Sequence, residues 1–258
     1  MTAADVAAEI RGLRVLVTGA SSGIGAAVAE HFGSRGARVC VHYNANRAGA
    51  EKVAAAIASS GGEAVAIQRN VTERGAPASL VADAAHALGG LDLLINNAGD
   101  MLERRPLETI GDDDLDAMID LNIRPTVRAC AAAIPLLRAS HGSIINVSSI
   151  SAHSGGSMGG NLYAAAKGFI ATYTHGLARE LAPEKIRVNA VSPGIIDTPL
   201  HARRTPAHVF EKFPSAIPMG RVGLADDCVG AFVFLACPSL SSYVTGQIIE
   251  VNGGQYMA

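Results

Sequence analysis

At 258 residues the chain can bury a large core and is compatible with one α/β domain or two small ones. With 49% hydrophobic and 17% charged residues it is not a disordered chain, and a formal net charge of −2 without a basic run gives nothing for nucleic acid to recognise. Cys40, Cys130, Cys228 and Cys237 lack metal-ligand or redox spacing, so they read as reduced thiols and no metal site is expected. The N-terminus shows no signal-peptide pattern and no apolar run approaches a membrane span, from which a soluble cytoplasmic protein is expected.

In chain order, residues 1–12 are of mixed polarity and read as an extension. Arg14 to Thr18 is a short β-branched run, followed at once by Gly19-Ala-Ser-Ser-Gly23-Ile-Gly25 and an Ala-rich helical stretch to Gly36. A strand, a glycine loop and a helix in succession build an anion site, because the glycines let the backbone approach a pyrophosphate that the helix N-terminus favours. Gly19, Ser21, Ser22, Gly23, Ile24 and Gly25 are therefore candidate cofactor residues. The spacing is G-x-x-x-G-x-G, not the common G-x-G-x-x-G, so a bare glycine turn stands as an equal reading of this loop taken alone.

The next strand, Ala37 to Tyr43, ends where nucleotide-binding folds place a carboxylate on the ribose 2′-hydroxyl. Here Tyr43 and Asn44 hold that position, with Arg47 shortly after. Without a carboxylate to repel it a 2′-phosphate is tolerated, and Arg47 can pair with it; this favours NADP(H) over NAD(H). The plain alternative is that Arg47 only opens the following helix on its solvent side.

Alternation continues with a strand from Glu63 to Arg69, a helix from about Gly75 to Leu88 and a strand from Leu91 to Ile95. Such nearly continuous apolar runs suit parallel strands covered on both faces. Asn96-Asn97-Ala98-Gly99 follows at a strand's C-terminal end, the edge where open α/β sheets bind ligands. These amides either lock the loop or touch cofactor, and spacing does not separate the two. After Pro106, Asp112 to Asp114 begins a helix favourably for its dipole. Leu115, Met118, Ile119, Asn122 and Ile123 share one face of it, and Asn122, polar on an apolar stripe, needs a partner if buried. The helix is expected to continue through Ala129 to Ala133.

Gly142 to Val147 is another buried strand, with Ser148-Ser149 at its end. A Gly/Ser-rich loop, Ser154 to Gly160, leads into a helix running to about Leu181. Then come a strand from Lys185 to Val191 and the loop Ser192 to Pro199. Residues 199–218, with His, Arg, Phe and several prolines but no clean periodicity, suit a mobile substrate-covering segment or a plain surface loop. A helix from Ala225 to Ala236 and a strand around Gly246 to Val251 complete the chain. No repeat, linker or composition break divides it, so a single domain over 1–258 is expected.

Tyr163-Ala-Ala-Ala-Lys167 carries the chemistry. Positions i and i+4 share a helix face, which puts the phenol beside the ammonium. A free phenol, with a pKa of about 10, is a poor acid or base at neutral pH, and a neighbouring cation lowers that value. An ordinary surface pair has the same spacing, so the motif gains force only from its company.

That company resembles the short-chain dehydrogenase/reductase family over about residues 13–256. Thr18-Gly-Ala-Ser-Ser-Gly-Ile-Gly25 is similar to its cofactor loop and Asn96-Asn-Ala-Gly99 to its sheet-stabilising motif. Ser149, Tyr163 and Lys167 resemble its catalytic serine and YxxxK pair, and Asn122 its helix asparagine. Pro193-Gly194, Ile196 and Thr198 resemble the loop holding the nicotinamide carboxamide, while Val244-Thr-Gly-Gln and Val251-Asn-Gly-Gly254 resemble its closing strand. Single motifs of this kind are weak; six in the family's order are specific.

The resemblance implies an α/β fold: a single Rossmann-type doubly wound parallel sheet with helices on both faces. It implies an NAD(P)-dependent enzyme moving a hydride between nicotinamide and a carbonyl or secondary alcohol, most like a 3-oxoacyl-carrier-protein or broad-range keto reductase. Tyr163 would move the proton, Lys167 lower its pKa and hold the cofactor ribose, Ser149 bond the reacting oxygen, and Asn122 extend a proton relay through a water. Cofactor contacts carried over with it are Asn70 and Val71, Asn97, Ala98 and Gly99, with Tyr163 and Lys167. Two departures stand out. The Ser149–Tyr163 interval is one residue longer than the commonest, leaving Ser148 and Ser151 as alternatives, and Asn70 replaces the usual aspartate. The rival readings are a non-catalytic dinucleotide-binding scaffold or sensor, and a dehydratase or epimerase on the same fold. A homotetramer is also expected, since Ala164, Ala165, Ala166, Gly168 and Ala171 on one helix and Ala129 to Ala133 on another permit close helix approach, with Tyr256 and the closing strand as a second interface.

Overall fold

The computed structural model describes residues 3–257. In chain order its main elements are α1 (Ala3–Ile10), β1 (Arg14–Val17), α2 (Gly23–Ser34), β2 (Arg38–Tyr43), α3 (Arg47–Ser59), β3 (Glu63–Gln68), α4 (Ala76–Leu88) and β4 (Leu93–Asn96). There follow α5 (Asp112–Asn122), α6 (Arg124–Ser140), β5 (Ser143–Val147), α7 (Ser151–Ser154), α8 (Asn161–Leu181), β6 (Arg187–Pro193) and β7 (Ile196–Asp197). The last are α9 (Pro199–Arg204), α10 (Ala207–Phe210), α11 (Phe213–Ala216), β8 (Gly223–Leu224), α12 (Ala225–Ala236), α13 (Pro238–Ser241) and β9 (Ile248–Val251).

Seven strands form one parallel sheet in the order β3-β2-β1-β4-β5-β6-β9, and β7 pairs with β8 beside it. Because β1 to β5 are apolar on both sides, the sheet needs two covers. One core packs α2, α3 and α12 against it through Phe32, Ile57 and Phe232; the other packs α4, α6 and α8 through Leu80, Leu137 and Leu177. The strand order reverses between β1 and β4, whose registers bring Val17 level with Ile95. A crevice opens at that switch point, at the carboxyl ends of the strands.

Three expectations change. Residues 3–10 are not a loose extension: α1 buries Ile10 completely, and Glu9 accepts hydrogen bonds from Ser239 N and Oγ at 3.1 Å. The helix expected to run on from Asn122 instead ends there, and α6 starts anew after Ile123, with φ −111° and ψ −62°. Pro125 causes this, since it has no N–H for the carbonyl of Leu121 and crowds the preceding turn. Residues 199–218 hold three short helices around the rings of His201, Phe210 and Phe213, whose centroids lie 5.6–6.0 Å apart. Among the described residues no helix is long and apolar enough to cross a membrane.

Candidate active site

The loop between β1 and α2 is fixed before any ligand arrives. Gly19 (φ +64°) and Gly23 (φ +58°) take the left-handed conformation that side chains resist. A Cβ on Gly25 would lie 2.5 Å from both the Gly19 oxygen and the Asn97 amide nitrogen, which explains the third glycine. Asn97 Nδ2 donates to the carbonyls of Thr18 (2.9 Å) and Gly19 (3.0 Å), while Thr18 Oγ1 accepts from the backbone of Asn97 (2.9 Å) and Ala98 (3.0 Å). Of the two roles left open for these amides, loop locking is what the geometry provides. Asn96 serves the sheet, donating to Asn146 Oδ1 at 2.9 Å, and Asn146 donates onward to Thr174 at 3.0 Å. His42, buried beneath the loop, accepts from Gly19 N at Nδ1 (3.0 Å) and meets the Arg69 carbonyl at Nε2 (2.9 Å). Those partners require the neutral ring with its proton on Nε2, and burial holds its pKa below the ordinary histidine value.

On the other side of the crevice, β5 delivers Ser149 and α8 delivers Tyr163 and Lys167. Ser149 is buried and accepts from Ser151 N at 3.1 Å. Ser148 turns away to donate to the Lys167 carbonyl at 3.0 Å, so of the candidate serines Ser149 is the one that hydrogen-bonds Tyr163. Burial pushes the Tyr163 phenol up to about 12, the Ser149 bond draws it back, and the Asp100 carboxylate adds to the rise. Burial takes the Lys167 ammonium down to about 8. The expected lowering of the phenol by Lys167 is not realised here. The ammonium sits 5.7 Å from the ring centroid and donates to the Val147 carbonyl at 2.8 Å, so desolvation outweighs it.

Asn122 lies behind the crevice wall. Its Oδ1 accepts from Asp100 N at 3.2 Å and its Nδ2 donates to Asp100 O at 3.0 Å, clamping the backbone of one residue through both of its peptide groups. A Cβ on Gly99 would come within 2.7 Å of Asn122 Oδ1 and 3.4 Å of Lys167 Nζ, so only glycine lets these parts close together. Asp100 in turn holds α9: Oδ1 accepts from Arg204 Nε at 2.7 Å and from Leu102 N at 2.8 Å, and Oδ2 meets Arg203 at 3.4 Å. Leu102 has φ +53°, a conformation this bond helps maintain.

One continuous groove of about 610 Å³ joins these parts, within the size range of ligand pockets. Of the residues singled out from sequence, Gly19, Ser21, Ser22, Gly23, Ile24, Asn44, Asn70, Val71, Asn97, Ala98, Gly99, Ser149, Tyr163, Lys167, Pro193, Gly194, Ile196 and Thr198 line it. Gly25 and Asn122 support it from beneath. Tyr43 and Arg47 fall outside the lining: Tyr43 packs on the core under α2 and α3, and Arg47 projects outward to Glu51 at 2.7 Å. Ala45 and Asn46 take the place expected for them. Asn70 is occupied with its own turn, accepting from Thr72 N at 3.2 Å and Oγ1 at 2.9 Å. Gly194 packs against Asn252, where a Cβ would lie 2.7 Å away, and Thr198 closes over Gly23. Residues not foreseen in the lining include His42, Asp100, His201 and Arg203. The signal for Asp100 was its position directly after Gly99 at the sheet edge.

The cradle fits a dinucleotide: a glycine turn against a helix N-terminus, a wall of small residues and, among the described residues, no carboxylate lining the β2 end. Residues 19–255 match the family model described as enoyl-(acyl carrier protein) reductase. The chain belongs to the short-chain dehydrogenase/reductase family. It is 36% identical to a 3-oxoacyl-[acyl-carrier-protein] reductase of Synechocystis sp., over 94% of this chain and 96% of that one. A short-chain dehydrogenase of Burkholderia cenocepacia, solved in complex with NADP, superposes with a TM-score of 0.88 at 34% identity, over 96% of this chain and 99% of that one. The NADH-dependent reductase A1-R′ complexed with NAD superposes at 0.87 with 32% identity, over 98% and 100%. This short-chain dehydrogenase/reductase is thus an NAD(P)-dependent oxidoreductase of the keto reductase kind.

Proposed function

We propose that the enzyme works as a carbonyl reductase in which Tyr163 is the proton donor, and that it accepts NADPH in preference to NADH. The observation that supports the first part is the Tyr163 phenol, beside Ser149 in the groove, protonated at neutral pH like any phenol and with its proton bound more tightly still by burial. A group in that state carries the proton that a ketone needs as it becomes an alcohol. When bound, the nicotinamide supplies a hydride at C4. The protein's part is then to hold and protonate the oxygen. Ser149 donates to the substrate carbonyl oxygen beside the phenol. Lys167, desolvated and tied to Val147, would hold the ribose with its remaining protons, and its positive charge would offset the phenolate left after transfer. Asn122 fixes Gly99 and Asp100 at the base of the site.

Support for NADPH is now the lining rather than Arg47. No carboxylate among the described lining residues at the β2 end opposes a 2′-phosphate, since His42, Asn44, Ala45 and Asn46 stand there. Arg47 is exposed and held only by an i, i+4 surface pair, an interaction cheap to exchange for a phosphate.

The enzyme is further inferred to be a homotetramer. Along α8, Ala165, Phe169 and Gly176 are exposed, and on α6 so are Arg128, Ala131 and Pro135, leaving a small-residue face for a symmetry mate. Tyr256 stacks on His153 of its own chain at 4.2 Å, so the second interface falls to the fully exposed Tyr243 and the closing strand. A panel of ketones and aldehydes with NADPH and NADH, followed by nicotinamide absorbance, tests the activity. Loss of nicotinamide absorbance that is faster with NADPH supports the reading, and a higher kcat/KM with NADH sinks the preference. Light scattering tests assembly, a monomer mass at micromolar concentration being the adverse result.

A further inference from the structure

At the mouth of the groove the guanidinium groups of Arg203 and Arg204 share one carboxylate, that of Asp100. Asp100 is already committed, its Oδ1 accepting from both Arg204 Nε at 2.7 Å and Leu102 N at 2.8 Å. What it gives Arg203 is a single contact at 3.4 Å, and the Arg203 side chain stays 58% exposed while lining the groove. Arg104 makes no ion pair among the described residues; its nearest polar contact is the Met101 sulfur at 3.9 Å, and Met101 also lines the groove. Arg105, the neighbouring cation, differs in being taken by Glu103 at 2.7 Å and Asp114 at 3.6 Å. The Arg104 charge also reaches His201, a lining residue, where it joins burial in keeping the ring uncharged against the opposing pull of Asp197. Arg203 therefore lines the groove with only part of a counter-charge, and Arg104, unpaired among the described residues, adjoins the lining residue Met101 and acts on the lining residue His201.

Resting on the carbonyl-reductase reading, we propose that Arg104 and Arg203 form an anion subsite and that the substrate is a ketone or aldehyde carrying a carboxylate. Such cations repel one another in a partly desolvated mouth, and an incoming carboxylate relieves that repulsion while satisfying the planar donors of Arg. Asp100 stands in for the missing anion when the site is empty of substrate. Arg203, on the segment that covers the site, leaves its weak 3.4 Å contact for the substrate, so substrate charge draws α9 inward.

The test uses the full-length enzyme with NADPH and matched probes: acetoacetate and levulinate, each beside its methyl ester. An acid should exceed its ester in kcat/KM by about tenfold, the worth of one charge-assisted hydrogen bond, with the advantage shrinking as salt is raised. Arg104→Gln and Arg203→Gln should each cost the acid about tenfold more than the ester, mainly through KM, and Arg203→Lys should restore part of the loss. Esters turned over as well as acids, or variants that lower both alike, would overturn the subsite and leave the reductase standing. No oxidation of NADPH by any carbonyl, these or the wider panel, would overturn the reductase reading and the subsite with it.

Discussion

The two ends of the groove are held by different physics. At the cofactor end, Thr18, Asn97 and His42 tie backbone groups to one another through hydrogen bonds of 2.9–3.0 Å in buried or half-buried surroundings. At the substrate end, α9 is held by arginine–carboxylate contacts that solvent reaches, and by a small cluster of rings. Buried neutral bonds are costly to leave unmade and indifferent to salt, whereas partly exposed ion pairs are weak and screened. One end is thereby a fixed mould for a constant ligand, and the other an adjustable cover for a variable one. Asp100 joins them, its backbone clamped by Asn122 and its carboxylate holding α9.

The comparison is broken most severely at the point where the ends meet. Tyr163→Phe removes the proposed proton donor and little else, so turnover should fall by about a thousandfold, within the range for general acid catalysis. Nucleotide affinity by calorimetry should change by less than a few fold, and near-normal kcat would remove Tyr163 from the mechanism.

The next largest effect belongs to the fixed end. Asn97→Ala deletes the donor to two carbonyls and loosens the turn that Gly25 packs against. Stability should fall by about 1–3 kcal/mol, as expected for polar groups left unsatisfied, and the KM for nucleotide should rise with it. Denaturant midpoints equal to wild type would show that the loop is not held in this way.

How far each end could be foretold follows from the same difference. The sheet, the glycine loop and Asn97 are written locally, because continuous apolar runs and turn residues act on near neighbours. Tyr43 was misplaced by following the motif's column instead of the strand's alternation, which turns His42 and Asn44 to the groove side and Tyr43 to the core. The break at Ile123 was announced by Pro125 but overridden by an apolar stripe that reads straight through it. In residues 199–218 the organising contact joins Asp100 to Arg204, 104 positions away, and four prolines erase any periodicity that would betray the short helices. The phenol's high pKa was invisible for another reason: spacing shows that a cation is near but not that its protons are spent on Val147.

A milder change sharpens the comparison at the adjustable end. Asp100→Asn keeps an oxygen for Leu102 N but removes the charge that holds Arg203 and Arg204. Hydrogen exchange of the α9 amides should quicken while that of the glycine loop is unaltered. In a double-mutant cycle with Arg204→Gln, the coupling should be about 1 kcal/mol at low salt and fade as salt is added. Equal exchange rates in α9, or a coupling that salt does not touch, would show that the rings alone hold the segment.

The smallest effect is a pH dependence, and it comes from the fixed end. His42 is neutral in the folded protein because Nδ1 must accept from Gly19 while Nε2–H donates to Arg69 O, and because burial and the nearby Arg69 charge both lower its pKa. In the unfolded chain the same ring titrates at about 6.5. Between that value and the lowered folded one, the unfolded state binds a proton that the folded state refuses. The stability is therefore complete above about 6.5 and is lost as pH falls, by at most about 1.4 kcal/mol per pH unit for this one group. His31 and His201 are lowered in the same direction by burial, so wild type alone does not isolate His42. The comparison is the slope: urea midpoints for wild type and His42→Gln, measured from neutral pH into the mildly acidic range. His42→Gln should be less stable at neutral pH yet lose less on acidification, since its residue at that position has nothing to titrate. Parallel slopes would mean that the ring titrates alike in the folded and unfolded states, and that the Gly19 amide is held by something other than Nδ1.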